Sequence, residues 1–319
     1  MKKIYFILLN IGFVLSVNAQ LLPFNDHYID NASIFNPASF DLSSLEYPLV
    51  ISTTYRQQWT EIIDGPKSFF AKAEYTRLSS YENNLSGSFY IINDKIGKIG
   101  LTSVYMRGSY IFDLSPSYNQ YRYLSIGLAF GGFQYRVNTS AFLQDPLIDP
   151  SDLPNLTSWH GDAGLGVYYY SNRFHVGLAS PQISVIDTDT KFLYTVDNEE
   201  YYTKRLRHYY MNIGFDFPYG VDNQSISPEL WIRYAMEQRP VFIPSVLIKL
   251  HEKFHIGGGV SIMKNPNIPI TFSPNIAISG VVESNNENLF KIGFSYGWTN
   301  AMYNESFGSV LEVNLVYYR

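Results

Sequence analysis

Phe290-Lys291-Ile292-Gly293-Phe294-Ser295-Tyr296-Gly297-Trp298 is the stretch whose reading decides the fold. Every second residue is large and apolar, and every intervening one is small or polar. A period of two places successive side chains on opposite faces of a β-strand. The same rhythm continues on both sides. Leu311, Val313, Leu315 and Tyr317 alternate with Glu312 and Asn314. Ile270, Phe272, Ile276 and Ile278 alternate with Thr271, Ser273, Asn275, Ala277 and Ser279. Upstream, Leu124, Ile126, Leu128 and Phe130 alternate with Ser125, Gly127, Ala129 and Gly131, and Tyr209 to Phe217 repeats the pattern.

The second face is the informative one. In a soluble sandwich it would be charged and solvated. Here it is Gly, Ser, Ala and Asn with an occasional charge. That suits the crowded interior of a barrel whose bulky residues face lipid. Aromatic clusters at Tyr168-Tyr169-Tyr170, Tyr209-Tyr210, Tyr296 with Trp298, and Tyr317-Tyr318 read as interfacial girdles.

The fold class expected is all-β, a transmembrane antiparallel β-barrel of about fourteen strands with both termini periplasmic. The expected spans are 49–57, 67–79, 84–93, 98–112, 120–137, 159–170, 173–180, 206–217, 226–237, 240–250, 254–263, 269–281, 289–299 and 309–318. Pro244 and Pro274 fall inside two of them, and bulges near a rim are the expected remedy. The long connections 138–158 and 181–205, and the next longest, 58–66 and 300–308, all follow odd-numbered strands. Connections after even-numbered strands are mostly short, as a single-chain barrel requires.

Composition agrees. Of 319 residues, 17% are aromatic and only 16% charged, and there is no cysteine. Thiolate metal sites, disulfides and Cys nucleophiles are excluded. A net charge of -5 speaks against a nucleic-acid partner. No helical membrane span is legible.

Three domains follow. Residues 1–19 read as a secretory signal peptide, with Lys2-Lys3, an apolar run to Val17 and cleavage after Ala19. Residues 20–48, rich in Asn, Asp, Ser and Pro, read as a periplasmic N-terminal segment or partial plug. Residues 49–319 form the barrel.

Several motifs have bland readings that outweigh sharp ones. His251-Glu252-Lys253-Phe254-His255 spells the H-E-x-x-H zinc pattern, which works only on a helix. Alternating residues flank it and Gly257-Gly258-Gly259 follows, so a hairpin turn is expected. Asp145, Asp149, Asp152, Asp187 and Asp189 lie in the two longest loops, without EF-hand spacing. Lys204, Arg205, Arg207 and His208 form a basic cluster where a strand begins; it reads as a solvated rim or a partner-facing patch. Asp216, Glu229, Arg233, Lys291 and Glu312 are expected in the lumen, tuning or plugging it. No Ser–His–Asp set or G-x-S-x-G elbow is present. No catalytic residue, cofactor site or metal site is assigned, and no enzymatic activity is expected.

Six segments resemble the PorP/SprF outer-membrane proteins of the Bacteroidetes type IX secretion system. These are Asn36-Pro37-Ala38; Tyr55-Arg56-Gln57-Gln58-Trp59 with Asp64-Gly65-Pro66; Asn93-Asp94-Lys95-Ile96-Gly97; Asp162 to Tyr169; and Phe174 to Pro181. The set from Asn36 to Pro66 is the most specific, although Asn-Pro and Asp-Gly-Pro are also ordinary turn formers. The resemblance implies a Gram-negative outer-membrane barrel that anchors or helps export a large secreted surface protein, including adhesins of gliding motility. It would hold the client's C-terminal sorting domain and contact periplasmic type IX or peptidoglycan-linked components, with outer-membrane lipid around it. The alternative is a porin or ligand-selective channel. An outer-membrane hydrolase is the weakest reading.

Overall fold

A computed structural model of the chain describes residues 27, 30–40, 43, 46–78, 84–116, 120–137, 156–183, 192–196, 199–203, 207–220, 224–236, 238–251, 253–265, 268–284, 288–298 and 308–319. The strands are β1 (Leu49–Gln57), β2 (Lys67–Arg77), β3 (Asn84–Ile96), β4 (Ile99–Asp113), β5 (Arg122–Val137), β6 (Leu156–Ser171) and β7 (Phe174–Ser180). They continue with β8 (His208–Phe215), β9 (Ser225–Ala235), β10 (Val241–His251), β11 (Phe254–Asn265), β12 (Ile268–Ser284), β13 (Asn288–Trp298) and β14 (Ser309–Tyr318). After a break at Asp216, Phe217–Pro218 prolongs β8 along β9.

Each strand pairs antiparallel with its neighbours in sequence, and β14 pairs with β1. The result is a closed barrel of fourteen strands in which every strand has two partners. Closure leaves no open edge, so the backbone can satisfy its hydrogen bonds without water. Leu49 and Arg319 exchange backbone hydrogen bonds of 2.8 and 2.9 Å, so the barrel begins and ends at one rim. We refer to this as the terminal rim. The strand ends that flank 58–66, 138–155, 181–207 and 299–308 all lie at the opposite, far rim.

The alternation predicts the faces well. Phe290, Ile292, Phe294, Tyr296 and Trp298 are all exposed on the outside. Ser295, Glu312 and Asn314 are buried toward the lumen.

Three expectations need correction. The expected bulges do not fall at the prolines: Pro244 lies opposite Leu230 and Pro274 opposite Val260, in unshifted ladders. The shifts come at Lys249/His251 and Met263/Asn265, next to tight connections. Second, the aromatic clusters are not wholly girdle. Tyr168, Tyr170, Tyr210 and Tyr318 are buried on the lumen side, because adjacent residues in a strand must point oppositely. Third, the connection 181–205 contains a separate hairpin, Phe192–Val196 paired with Glu199–Thr203. Its two runs rich in aromatic and β-branched residues flank Asp197-Asn198, a turn signal.

Candidate functional site

The lumen is occupied by the chain's own N-terminal segment. Residues 30–40, with the one-turn helix α1 (Ala32–Phe35), run between inward side chains of strands on both sides of the β14–β1 closure. Phe35 is fully buried, 5.6 Å from the Tyr210 ring and 6.1 Å from Trp231. Phe40 stands edge-on to Tyr123 and Tyr168, 6.0 Å from each.

Asn36-Pro37-Ala38 is the tightest point of contact. Asn36 Oδ1 accepts from the Ala38 amide at 2.9 Å, closing a local turn, while Nδ2 donates to the Val167 carbonyl at 3.2 Å. Three glycines make the space. A Cβ at Gly127 would overlap the Pro37 carbonyl, one at Gly166 the Asn36 amide, and one at Gly177 the side chains of Asn36 and Asn212. Glycine is thus required on the lumen faces of β5, β6 and β7, where the backbone of Pro37 and the side chain of Asn36 approach closely.

Charge then fixes the segment. Arg107 uses all its donors: Nε to Ser88 (2.8 Å), Nη1 to the carbonyls of Pro37 (3.0 Å) and Ser39 (2.8 Å), and Nη2 to Ser86 (3.1 Å) and Glu74 (2.7 Å). Glu74 also accepts from Ser33 at 2.7 Å and pairs with Lys72 at 3.0 Å. Lys72 reaches the Asp30 carbonyl at 2.8 Å. The Asp30 carboxylate takes Lys291 at 2.6 Å and Asn314 at 2.9 Å. Glu312 accepts from Arg56 at 2.9 Å and from the His27 amide at 3.0 Å. Buried charges persist only when paired and hydrogen-bonded. Here the pairing crosses from barrel wall to segment at several points.

Elsewhere Glu229 meets His175 at 3.2 Å and Trp231 Nε1 at 2.7 Å. Asp216 accepts from Ser227. Of the charges expected in the lumen, Glu229, Lys291 and Glu312 are thus tied into side-chain networks. Lys72, Glu74 and Arg107 were missed. The available signal was their phase: Lys72 and Glu74 share a face of β2 with Ser68 and Thr76, and Arg107 shares a face of β4 with Ser103 and Ser109.

The far-rim loop 58–66 is the second part of the site. Gln58 donates to Pro66 at 2.8 Å, Ile62 to Trp59 at 2.9 Å and Gly65 to Ile62 at 3.0 Å. Trp59 and Asp64 both take left-handed backbone, with φ of 54° and 60°. A Cβ at Gly65 would come within 2.7 Å of the Gln58 and Trp59 carbonyls, so only glycine fits. Two neighbouring connections brace the loop. The Gly97 amide donates to the Asp64 carbonyl at 3.1 Å, and Lys98 pairs with the Asp64 carboxylate at 3.1 Å. The Lys98 hydrogen bond and charge hold that carboxyl below the usual carboxylate range. On the other side Ser309 donates to Thr60 Oγ1 at 3.0 Å. Ile63 stands at the tip, 93% exposed.

The family-like residues therefore separate into two places. Asn36, Pro37 and Ala38 are inside the lumen, and Arg56 points there too. Trp59, Asp64, Gly65 and Pro66 shape the rim loop, which Gln57 leads into. Tyr55 faces outward from β1, 45% exposed. Asp145, Asp149, Asp152, Asp187, Asp189, Lys204 and Arg205 lie outside the described residues. His208 leaves the basic cluster: it is buried in the lumen, with Nδ1 3.0 Å from Gln182 Oε1. His251 ends β10 and His255 lies in β11, so the zinc-like pattern spans a hairpin.

Comparison with known proteins agrees with this geometry. The CymD monoaromatic hydrocarbon channel superposes with a TM-score of 0.53 at 11% identity, covering 93% of each chain. That likeness shows the barrel fold. A TodX monoaromatic hydrocarbon channel mutant gives a TM-score of 0.46 at 9% identity, covering 90% of this chain and 93% of its own. Omp33 of Acinetobacter baumannii gives 0.45 at 8% identity, covering 86% and 99%. No curated protein matches by sequence. The model of one family, the type IX secretion system membrane protein PorP/SprF, matches residues 17–317. A match over nearly the whole chain, on a closed barrel with a lipid-facing wall, makes this chain a member of the PorP/SprF family, an outer-membrane multi-pass barrel of type IX secretion.

Proposed function

We propose that this barrel binds and anchors rather than conducts. It holds a large secreted surface protein of adhesin type through the client's C-terminal sorting domain, in support of secretion or gliding. The observation that carries the reading is residues 30–40 packed inside the lumen and locked through Arg107, Glu74, Asp30 and Lys291. A barrel closed by its own chain offers surfaces, not passage. In this reading residues 1–19 are removed as a signal peptide and 20–48 act as the plug. Both termini are periplasmic, where peptidoglycan-linked or other type IX components meet the terminal rim. The far-rim loops then face outside, and Asp145, Asp149, Asp152, Asp187, Asp189, Lys204 and Arg205 contribute to client contact.

Deleting the gene tests this directly. Client display at the cell surface should fall, and a tagged barrel should recover a secreted protein with its C-terminal domain from envelopes. Normal display together with recovery of no client would overturn the proposal.

A ligand-selective channel is the second reading. It is favoured by the inner wall of β10–β12, where Ser245, Leu247, Gly257, Gly259 and Asn275 are only half-buried beside the plug. Steady conductance of the intact protein in a planar bilayer would support it.

A further inference from the structure

The outer wall carries a notch that neither the plug nor the rim loop requires. Gly87 of β3 and Gly108 of β4 stand directly opposite each other. They interrupt an outward row that runs Tyr75, Gly87, Gly108, Leu128 across β2 to β5. A Cβ at Gly108 would meet nothing within 4 Å, and one at Gly87 only the Arg107 carbonyl at 3.7 Å. Neither has positive φ. Packing and backbone geometry would thus both admit a side chain, and glycine inside a strand costs about 0.5–1 kcal/mol relative to alanine. The result is a groove of about 860 Å³ walled by Leu85, Tyr110, Ile126 and Leu128 and ending at Arg77. Arg122 is the outward, exposed residue that opens β5 at the same terminal rim. Asp113, opposite Tyr123 at this rim, accepts the Ser115 amide at 2.8 Å.

We propose that this groove binds one acyl chain of an anionic glycerophospholipid, with the phosphate at Arg77 and with Arg122 adding positive charge at the same rim. The wall faces lipid, so hydrocarbon is its surrounding medium, and guanidinium forks match phosphate oxygens. Tyr75 and Tyr110 are exposed beside the groove, and aromatic rings favour the headgroup level. This site is independent of client binding.

Native mass spectrometry of the full-length protein, loaded with phosphatidylglycerol and phosphatidylcholine and stripped stepwise, provides the test. Wild type should keep one phosphatidylglycerol after the rest are lost. The double variant Gly87→Val/Gly108→Val should keep it about tenfold less, since valine fills the space of a few methylenes. Arg77→Gln/Arg122→Gln should erase the preference for phosphatidylglycerol. Retention of no lipid by wild type, equal retention of both lipids, or wild-type retention by a folded valine variant would each overturn the proposal. So would a bound protein chain in place of the lipid. If the valine variant does not fold, the arginine variant, which leaves the wall intact, decides.

Discussion

Arg107 is the residue on which the filled lumen most depends. It bridges the wall carboxylate Glu74 and two carbonyls of the segment. Arg107→Ala would leave Glu74 buried with one cation fewer and two carbonyls without that donor. Removal of one partner from a buried pair costs about 3–5 kcal/mol. We expect that loss in thermal unfolding of the detergent-solubilised barrel, together with faster proteolysis of the N-terminal segment. Arg107→Lys keeps the charge but not the fork, and should recover only part of the loss. Gly127→Val acts from the other side: its side chain would occupy the space of the Pro37 carbonyl. The same protease assay should show the segment released while the barrel stays folded. Glu312 and Lys291 were legible in the sequence as lumen charges because they alternate with the large apolar residues of β14 and β13. Arg107 was not, because its partners Pro37 and Ser39 lie about seventy residues away in a segment without periodicity.

At the scale of elements, the strands were legible almost to their ends, and the rim loop was legible only as turn-forming residues. Its rigidity comes from neighbours: Gly97 and Lys98 on one flank, Ser309 on the other. Asp64 has a folded-state pKa below its ordinary value. The pair with Lys98 therefore stabilises the loop above the ordinary carboxylate range. That contribution is lost as pH falls through the lowered folded value. Both partners are substantially exposed, so the effect on global stability should be small. Hydrogen exchange at Gly97 should read it, with protection falling on acidification in wild type and little pH effect in Asp64→Asn. Asp64→Ala should loosen the loop further, because Asn tolerates left-handed backbone better than Ala. A loop that keeps wild-type protection in Asp64→Asn at neutral pH would show the ion pair to be idle.

For the whole molecule, the deciding quantity is whether the lumen is closed. Deletion of residues 20–48, with residues 1–19 retained, removes the segment but none of the strands. The barrel should still assemble, since every strand keeps both partners, and its conductance in a planar bilayer should rise well above that of the intact protein. Equal conductance of the two would mean that the segment does not seal the pore.

The sequence by itself determined the barrel. Alternation is a local property: each strand states its two faces through residues two apart, and the length pattern of the connections states which rim is elaborate. The strand count and the lipid-facing wall needed nothing else. Only the tertiary structure decided what fills the interior. Asn36-Pro37-Ala38 reads locally as a turn, and Gly127, Gly166 and Gly177 read as small lumen residues. Their relation exists only once β5, β6 and β7 are side by side and the segment lies against them. The buried tyrosines changed sides for the same reason. A doublet in sequence states that one ring points in and one points out, and Tyr168 and Tyr210 are covered on the inside by Phe40 and Phe35 of the docked segment.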